Sequence, residues 1–264
     1  LLKVERKEMY VVNDQLDGSI TIYQVYLMGR GKRNKTAKRR KHLFNRIFIR
    51  RIMGKKVFFT LTHCSKKLSG ISNRYNYKSN MHRLCYVNAK FNNVKYQASI
   101  ITGCNFRDAK LYGVDFYNTN LKGSSFKNAI IRNTVFYNCK LNDVEFLNVK
   151  FDNVIFVCTN LDKARNLDIN DKNIVILRTY PNLNLDSEVE KILLSTANKQ
   201  SIYKARVLHV NREKLNMWNL AIIQSYFSDN GIEMLARILS KKTNWQNLYT
   251  VHSYISLIEN WNKK

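Results

Sequence analysis

The stretch Asn105–Phe126, NFRDAKLYGVDFYNTNLKGSSF, places a bulky apolar residue at every fifth position: Phe106, Leu111, Phe116, Leu121 and Phe126. A helix cannot use that interval, because five residues overshoot one turn by about 140° and the row spirals off any face. A flat strand cannot use it either, since an odd step sends successive side chains to opposite faces. The interval demands a chain that turns a corner once per five residues.

Working outward, every fifth position from Phe91 to Leu161 is Phe, Tyr, Ile or Leu, fifteen times in succession. Two residues before each lies a second column of small or β-branched residues, from Ala89, Val94, Ser99 and Cys104 through to Cys139, Val144, Val149, Val154 and Thr159. Before that comes a third column dominated by Asn, Asp and Gly, among them Asn88, Asn93, Asp108, Gly113, Asn118, Gly123 and Asn128. The first two columns point the same way, being two steps apart on an extended chain. The third supplies the turn-permissive residue at each corner. Four sides close a square coil of twenty residues, and coils stack at the strand spacing of about 4.8 Å. Residues twenty apart then form interior ladders, such as Phe106, Phe126 and Phe146.

The units NAKFN, DAKLY, NTNLK and NAIIR resemble the pentapeptide-repeat family, whose pattern is A(D/N)LXX. The resemblance covers residues 87–165 firmly and 81–86 more loosely, because Leu84 is too large for the small column. It implies a right-handed quadrilateral β-helix of about four coils and is nearly silent on activity. After Leu161 the phase breaks, with Leu167 arriving one residue late. Open ends would expose backbone edges, so caps are expected in both flanks. Some members of that family imitate duplex DNA through a negative surface and protect topoisomerases. This repeat segment is short and net positive, which argues against mimicry here.

The expected fold is therefore mixed β plus α, in three parts: residues 1–80, a hairpin, basic arm and cap; 81–166, the β-helix; and 167–264, a C-terminal α-helical domain. In the first part, residues 10–27 read as a hairpin turning at Asp17-Gly18, and KVFFTLTHC as a strand leading to the first coil. In the last, Ser187 with Glu190 and Asn230 with Glu233 read as capping boxes. REKLNMWNLAIIQSYF and NWQNLYTVHSYISLIENW read as longer amphipathic helices. Four or five helices are expected, packed on the last coil.

Charge is the outstanding compositional feature. Lys and Arg number 45 against 19 Asp and Glu, a formal +26. Half of that excess lies in thirteen bases without one acid: Arg30, Lys32, Arg33, Lys35, Lys38, Arg39, Arg40, Lys41, Arg46, Arg50, Arg51, Lys55 and Lys56. Arg30–Lys41 has no apolar periodicity. Phe44, Ile47, Phe48 and Ile52 follow at helical spacing, with a competing use as packing against the rod. Thirteen like charges repel one another, so an anionic partner is expected for this segment. Nucleic acid or another polyanion fits through phosphate contacts, and an anionic membrane surface fits less well through Phe44, Phe48 and the arginines. The reading from a different class is a protein-interaction adaptor in a larger assembly.

Catalytic constellations are scarce. The histidines His42, His63, His82, His209 and His252 form no HxxxH or HExxH pair, and GRGKRNK at residues 29–35 lacks the GK[ST] ending of a phosphate-binding loop. The five cysteines, Cys64, Cys85, Cys104, Cys139 and Cys158, show no CxxC, and Cys104 and Cys139 sit in the small inward column. The expectations are reduced thiols in a cytoplasmic protein, with no enzyme activity, metal, cofactor or small-molecule substrate. No run of 18 apolar residues marks a membrane span, and no secretory leader is expected in Leu1–Tyr10.

Overall fold

The computed structural model describes residues 8–13, 20–25, 60–62 and 67–263, except 228–229 and 242–244. The chain divides into two units, Leu1–Val57 and Phe58–Lys264. In the first, β1 (Glu8–Asn13) and β2 (Ile20–Val25) pair antiparallel, with Asn13 opposite Ile20. A two-residue turn at Asp17-Gly18 would have set Asn13 opposite Ile22, so the register is two residues from that expectation. Asp17 and Gly18 themselves lie outside the described residues.

The second unit is a four-sided parallel β-solenoid of about five turns with a helical region on one flank. Its longest sheet stacks β4 (Ser72–Tyr77), β6 (Lys90–Gln97), β8 (Lys110–Tyr117), β9 (Ile130–Tyr137), β10 (Lys150–Val157) and β11 (Ile174–Leu177), all parallel. Residues twenty apart are partners throughout, as in Phe91 with Leu111 and Ile131 with Phe151. A second ladder joins β3 (Thr60–Thr62), β5 (Asn80–His82) and β7 (Ile100–Thr102), then continues as single bridges from Ile100 through Asn120 and Lys140 to Asn160. A third runs from Lys67 through Cys85, Asn105, Ser125 and Glu145 to Arg165. Since β6, β8, β9 and β10 each bend in the middle, these ladders account for four faces.

The columns fall where the rhythm demands. All fifteen bulky residues from Phe91 to Leu161 are buried, as are fourteen of the fifteen small ones, with Val149 partly buried against the same core. The aromatic rings build two interior stacks, Tyr86–Phe106–Phe126–Phe146 and Tyr96–Phe116–Phe136–Phe156. The stacks meet edge to face, with Phe126 and Phe136 centroids 6.5 Å apart. Every fifth residue from Asn73 to Cys158, eighteen in all, holds a positive φ. At seven corners the small residue's amide donates back to the bulky residue three positions earlier, as Ala109 N does to Phe106 O. At six of them, all but the one closed by Ala164, this places a positive-φ residue third in a type II turn, where Asn or Gly is favoured.

Polar members of the small column stitch one coil to the next. Ser124 Oγ donates to Ile101 O at 2.9 Å and accepts from Cys104 N, while Thr159 Oγ1 does the same for Phe136 O and Cys139 N. A hydroxyl in the core is thereby fully satisfied. Cys104 and Cys139 donate their thiols weakly to Met81 O and Phe116 O, and no described cysteine is disulfide-bonded.

The break after Leu161 is a local slip rather than the end of the solenoid, and no residue is inserted, since Glu145 pairs with Arg165 before it and Val154 with Ile174 after it, each twenty apart. Leu167, one residue late, still packs on the core, and the twenty-residue register continues with Ile174 opposite Val154 and Ile176 opposite Phe156. The irregular segment between them carries Asx turns at Asp168 and Asp171.

The C-terminal helices are α1 (Ser187–Ser195), α2 (Gln200–Tyr203), α3 (Met217–Tyr226), α4 (Gly231–Lys241) and α5 (Val251–Asn262). Asp186, not Ser187, caps α1, its carboxylate accepting from the amides of Glu188 and Val189. For the second expected box, Glu233 lies in the first turn of α4. The last helix begins at Val251, not near Asn244, and Thr250 with Ser253 forms its capping box.

The helical core continues onto the solenoid through the outward-facing Val135, Ile155 and Val157, so the helices seat on a flank and not on the last coil. Those three apolar residues lie off the interior columns and offer the surface that the bundle needs. Tyr137 stacks on Tyr117 at 4.2 Å and meets Trp218 of α3 edge-on.

Candidate nucleic-acid interface

All thirteen basic residues singled out from the sequence, Arg30 to Lys56, and the apolar stripe Phe44–Ile52 lie outside the described residues, as do His42, His63 and Cys64. The described solenoid carries cationic chemistry of its own, and the repeat geometry organises it.

On one edge the residue just after the corner forms a register-paired row, Lys90–Lys110–Ile130–Lys150. The residue just before the same corner forms a parallel row of Val87, Arg107, Lys127 and Leu147, and the carbonyls of the last three accept from the corner amides of the preceding turn. Between the rows runs a polar corner ladder: Asn128 Nδ2 donates to Asp108 Oδ1 at 3.2 Å and Asn148 Nδ2 to Asn128 Oδ1 at 3.4 Å. Lys90, Arg107, Lys110, Lys127 and Lys150 are all exposed. Arg107 is bonded to Asp108 at 3.2 Å, and the four lysines take part in no ion pair among the described residues. Four turns at about 4.8 Å put five cations on a ridge about 14 Å long. The next edge is mixed in sign, carrying Asp143, Glu145 and Asp162 beside Lys122, Lys163 and Arg165, with Arg165 paired to Asp143 at 2.8 Å.

A second cationic group lies in the helical region. The Arg206 guanidinium sits 3.7 Å from the ring centre of buried Tyr203, and that of Arg212 sits 5.2 Å from it. Arg206 also donates to Val210 O at 3.2 Å, and neither arginine has a carboxylate partner among the described residues. Arg212 Nη1 donates to Asn198 Oδ1 at 3.5 Å, and each guanidinium has further N–H donors beyond these bonds.

Tyr112, Tyr117, Tyr137, Lys122, Lys127 and Arg132 each follow a bulky column residue and point outward, which would allow one aromatic and basic face. The structure separates them: Tyr117 and Tyr137 are partly covered by helices, Tyr112 is held by His252 at 2.8 Å, and Arg132 pairs with Asp152. The lysine row was missed because it occupies the position before each bulky residue, and only its twenty-residue spacing marks it. An open cleft of about 360 Å³ lies between Tyr180, Leu183, Glu190, Glu213 and Met217. No group of His, Cys, Asp and Glu among the described residues could hold a metal ion.

A parallel solenoid that buries two residues in every five and turns mostly on Asn, Asp or Gly is a repeat architecture in which each turn packs only on its neighbours. A family model described as "pentapeptide repeat region" matches residues 79–170, and this chain carries a pentapeptide-repeat region there. Members of that family are generally non-catalytic structural or interaction proteins. Among solved structures, a pentapeptide repeat protein from the cyanobacterium Cyanothece 51142 is similar, at 13% identity and TM-score 0.22, over 50% of this chain and 99% of that one. One from the Arabidopsis thaliana thylakoid lumen is 17% identical with TM-score 0.27, over 51% and 75%. HetL of Nostoc sp. strain PCC 7120, involved in heterocyst differentiation regulation, is 13% identical with TM-score 0.19, over 40% and 55%. No curated protein matches the sequence.

Proposed function

We propose that this protein is a non-catalytic scaffold that engages nucleic acid, with the solenoid edge and the basic segment 30–56 both contacting the phosphate backbone. The observation that carries the reading is the ridge of Lys90, Arg107, Lys110, Lys127 and Lys150, five exposed cations on four turns with one acid among them. Each of its four rungs can neutralise about one phosphate of a strand that rises about 3.4 Å per nucleotide. Phosphate contacts position a protein without reading sequence, so binding is sequence-independent.

Fluorescence anisotropy with a mixed-sequence duplex over a range of salt tests this. Replacing Lys90, Lys110, Lys127 and Lys150 by Ala should flatten the slope of log affinity against log salt by about three units. A wild-type slope near zero, together with a protein partner that stays bound at high salt, would overturn the reading in favour of an interaction adaptor.

A further inference from the structure

The covered flank of the solenoid has an outward row of register partners, Tyr75, Lys95, Asp115, Val135 and Ile155. Val135 and Ile155 behave as a buried flank should, joining the helical core. Lys95 and Asp115 interrupt them with two opposite charges that are 0% and 3% exposed. The Lys95 ammonium has no hydrogen bond and lies 4.9 Å above the Tyr117 ring. Asp115 Oδ2 accepts from the Val251 amide at the start of α5 at 2.9 Å, whereas Oδ1 has no partner. No N···O contact within 4.0 Å joins the two charges among the described residues.

Two charges removed from water are costly to bury, and they offset that cost only with close geometry and complete hydrogen bonding. Here both are lacking. The penalty falls on one event, the seating of the helices, because the solenoid closes its own backbone ladders and interior without them. Lifting the helices returns Lys95 and Asp115 to water and leaves the interior stacks intact. Opposing this are the apolar contacts of the helical core and polar anchors that include Val251 N to Asp115, Thr250 Oγ1 to Asn93 Oδ1 at 3.1 Å, Asn93 Nδ2 to Asn247 O at 2.6 Å, His252 with Tyr112 and Asn133, and Asn153 with Tyr226 of α3.

We propose that the helical region is a reversibly docked cover, which the buried Lys95–Asp115 pair biases toward opening and whose release uncovers the tyrosine-lined flank of the solenoid. The proposal does not depend on nucleic-acid binding. The titration of the pair adds a signature. Burial pushes Asp115 up to about 6 and Lys95 down to about 8, each held back by attraction to the other. With Asp115 raised, the docked state keeps a proton that the open state has lost, so docking weakens as pH rises toward 6. With Lys95 depressed, the open state keeps the extra proton, so docking strengthens again as pH rises beyond 8. The pair's own contribution to docking is therefore least favourable between about pH 6 and 8. Other titratable groups on the packed elements include Tyr75, Tyr117, Tyr137 and Asp152 on the solenoid, Tyr226 on α3, and His252, Tyr254 and Glu259 on α5. The His252 Nε2 is taken up by Tyr112, and burial lowers its pKa, so its contribution runs opposite to that of Asp115 and strengthens docking as pH rises toward 6.5.

Hydrogen exchange by mass spectrometry on the full chain tests the cover, with rates corrected for intrinsic pH dependence. Lys95→Ile with Asp115→Val extends the apolar row and should slow exchange of α5 at least tenfold at pH 7 while leaving β6 to β10 unchanged. Asp115→Val alone should speed it by leaving the ammonium unpaired. In the wild-type protein α5 should exchange before the solenoid, and its shortfall in protection against the double variant should be greatest between pH 6 and 8. Equal or faster exchange of α5 in a folded double variant would overturn the proposal. Should that variant fail to fold, a wild-type α5 that exchanges together with the solenoid would overturn it equally.

Discussion

Phe126 and Lys127 are neighbours in the chain with opposite environments, the first fully buried between Phe106 and Phe146 and the second exposed on the ridge. Phe126→Ala should cost about 3–5 kcal/mol in thermal or denaturant unfolding, and Lys127→Ala should cost little. The corner column carries its own residue-scale test. Lys78, Arg83, Ala98 and Cys158 hold positive φ without being Asn, Asp or Gly. The left-handed region costs an ordinary residue about 1–2 kcal/mol, partly offset by the greater freedom of glycine in the unfolded chain, so Ala98→Gly should stabilise by about 0.5–1 kcal/mol. A lower melting temperature for that variant would mean the corners are not strained. The thiols divide in the same manner. Burial pushes Cys104 up to about 11 and Cys139 up to about 12, whereas Cys158 is exposed. At pH 8, alkylation of the native protein should label Cys158 rapidly and leave both core thiols unmodified until denaturant is added.

At the scale of single elements, helix boundaries separate what local pattern predicts from what packing selects. Asp186 and Ser187 are both good capping residues, and the pattern alone favours Ser187 with Glu190. The chain enters α1 through Leu183 and Leu185, which pack on the helical core, so Asp186 takes the extended φ of −60° and ψ of 142° that a cap requires. Asp186→Ala should therefore cost about 1 kcal/mol, and Ser187→Ala less than half of that, in chemical unfolding. The last helix repeats the lesson. Trp245 and Leu248 are buried in non-helical backbone, and Asn247 adopts a positive φ while its carbonyl accepts from Asn93. A tertiary hydrogen bond and two buried apolar side chains hold residues 245–250 out of a helix that their amphipathic pattern would allow.

For the molecule as a whole, charge and docking are the two properties to test. If the arm neutralises about six phosphates, log affinity should fall with log salt at a slope near −5 on duplex. Lys38, Arg39, Arg40 and Lys41 changed together to Ala should then flatten it by about three to four units, with circular dichroism unchanged. Combining those changes with the ridge replacements separates two contacts from one: additive losses of slope mean both surfaces meet phosphate, and a ridge set with no effect confines binding to the arm.

The sequence by itself determined the solenoid, because a five-residue period constrains every turn in the same way. Fifteen bulky positions, the small column and the corner column each repeat a local requirement, namely interior volume, tight backbone approach and positive φ. The twenty-residue register across the break at Leu161 was not legible, since Leu167 signals only a slip and the return at Ile174 is set by pairing with Val154. The seat of the helices was decided by tertiary structure alone. Lys95, Asp115, Val135 and Ile155 occupy the same outward position in successive units, and nothing in their local sequence distinguishes a solvated face from a covered one. Only the helices packed against them turn two of these residues into core and the other two into buried, poorly partnered charges.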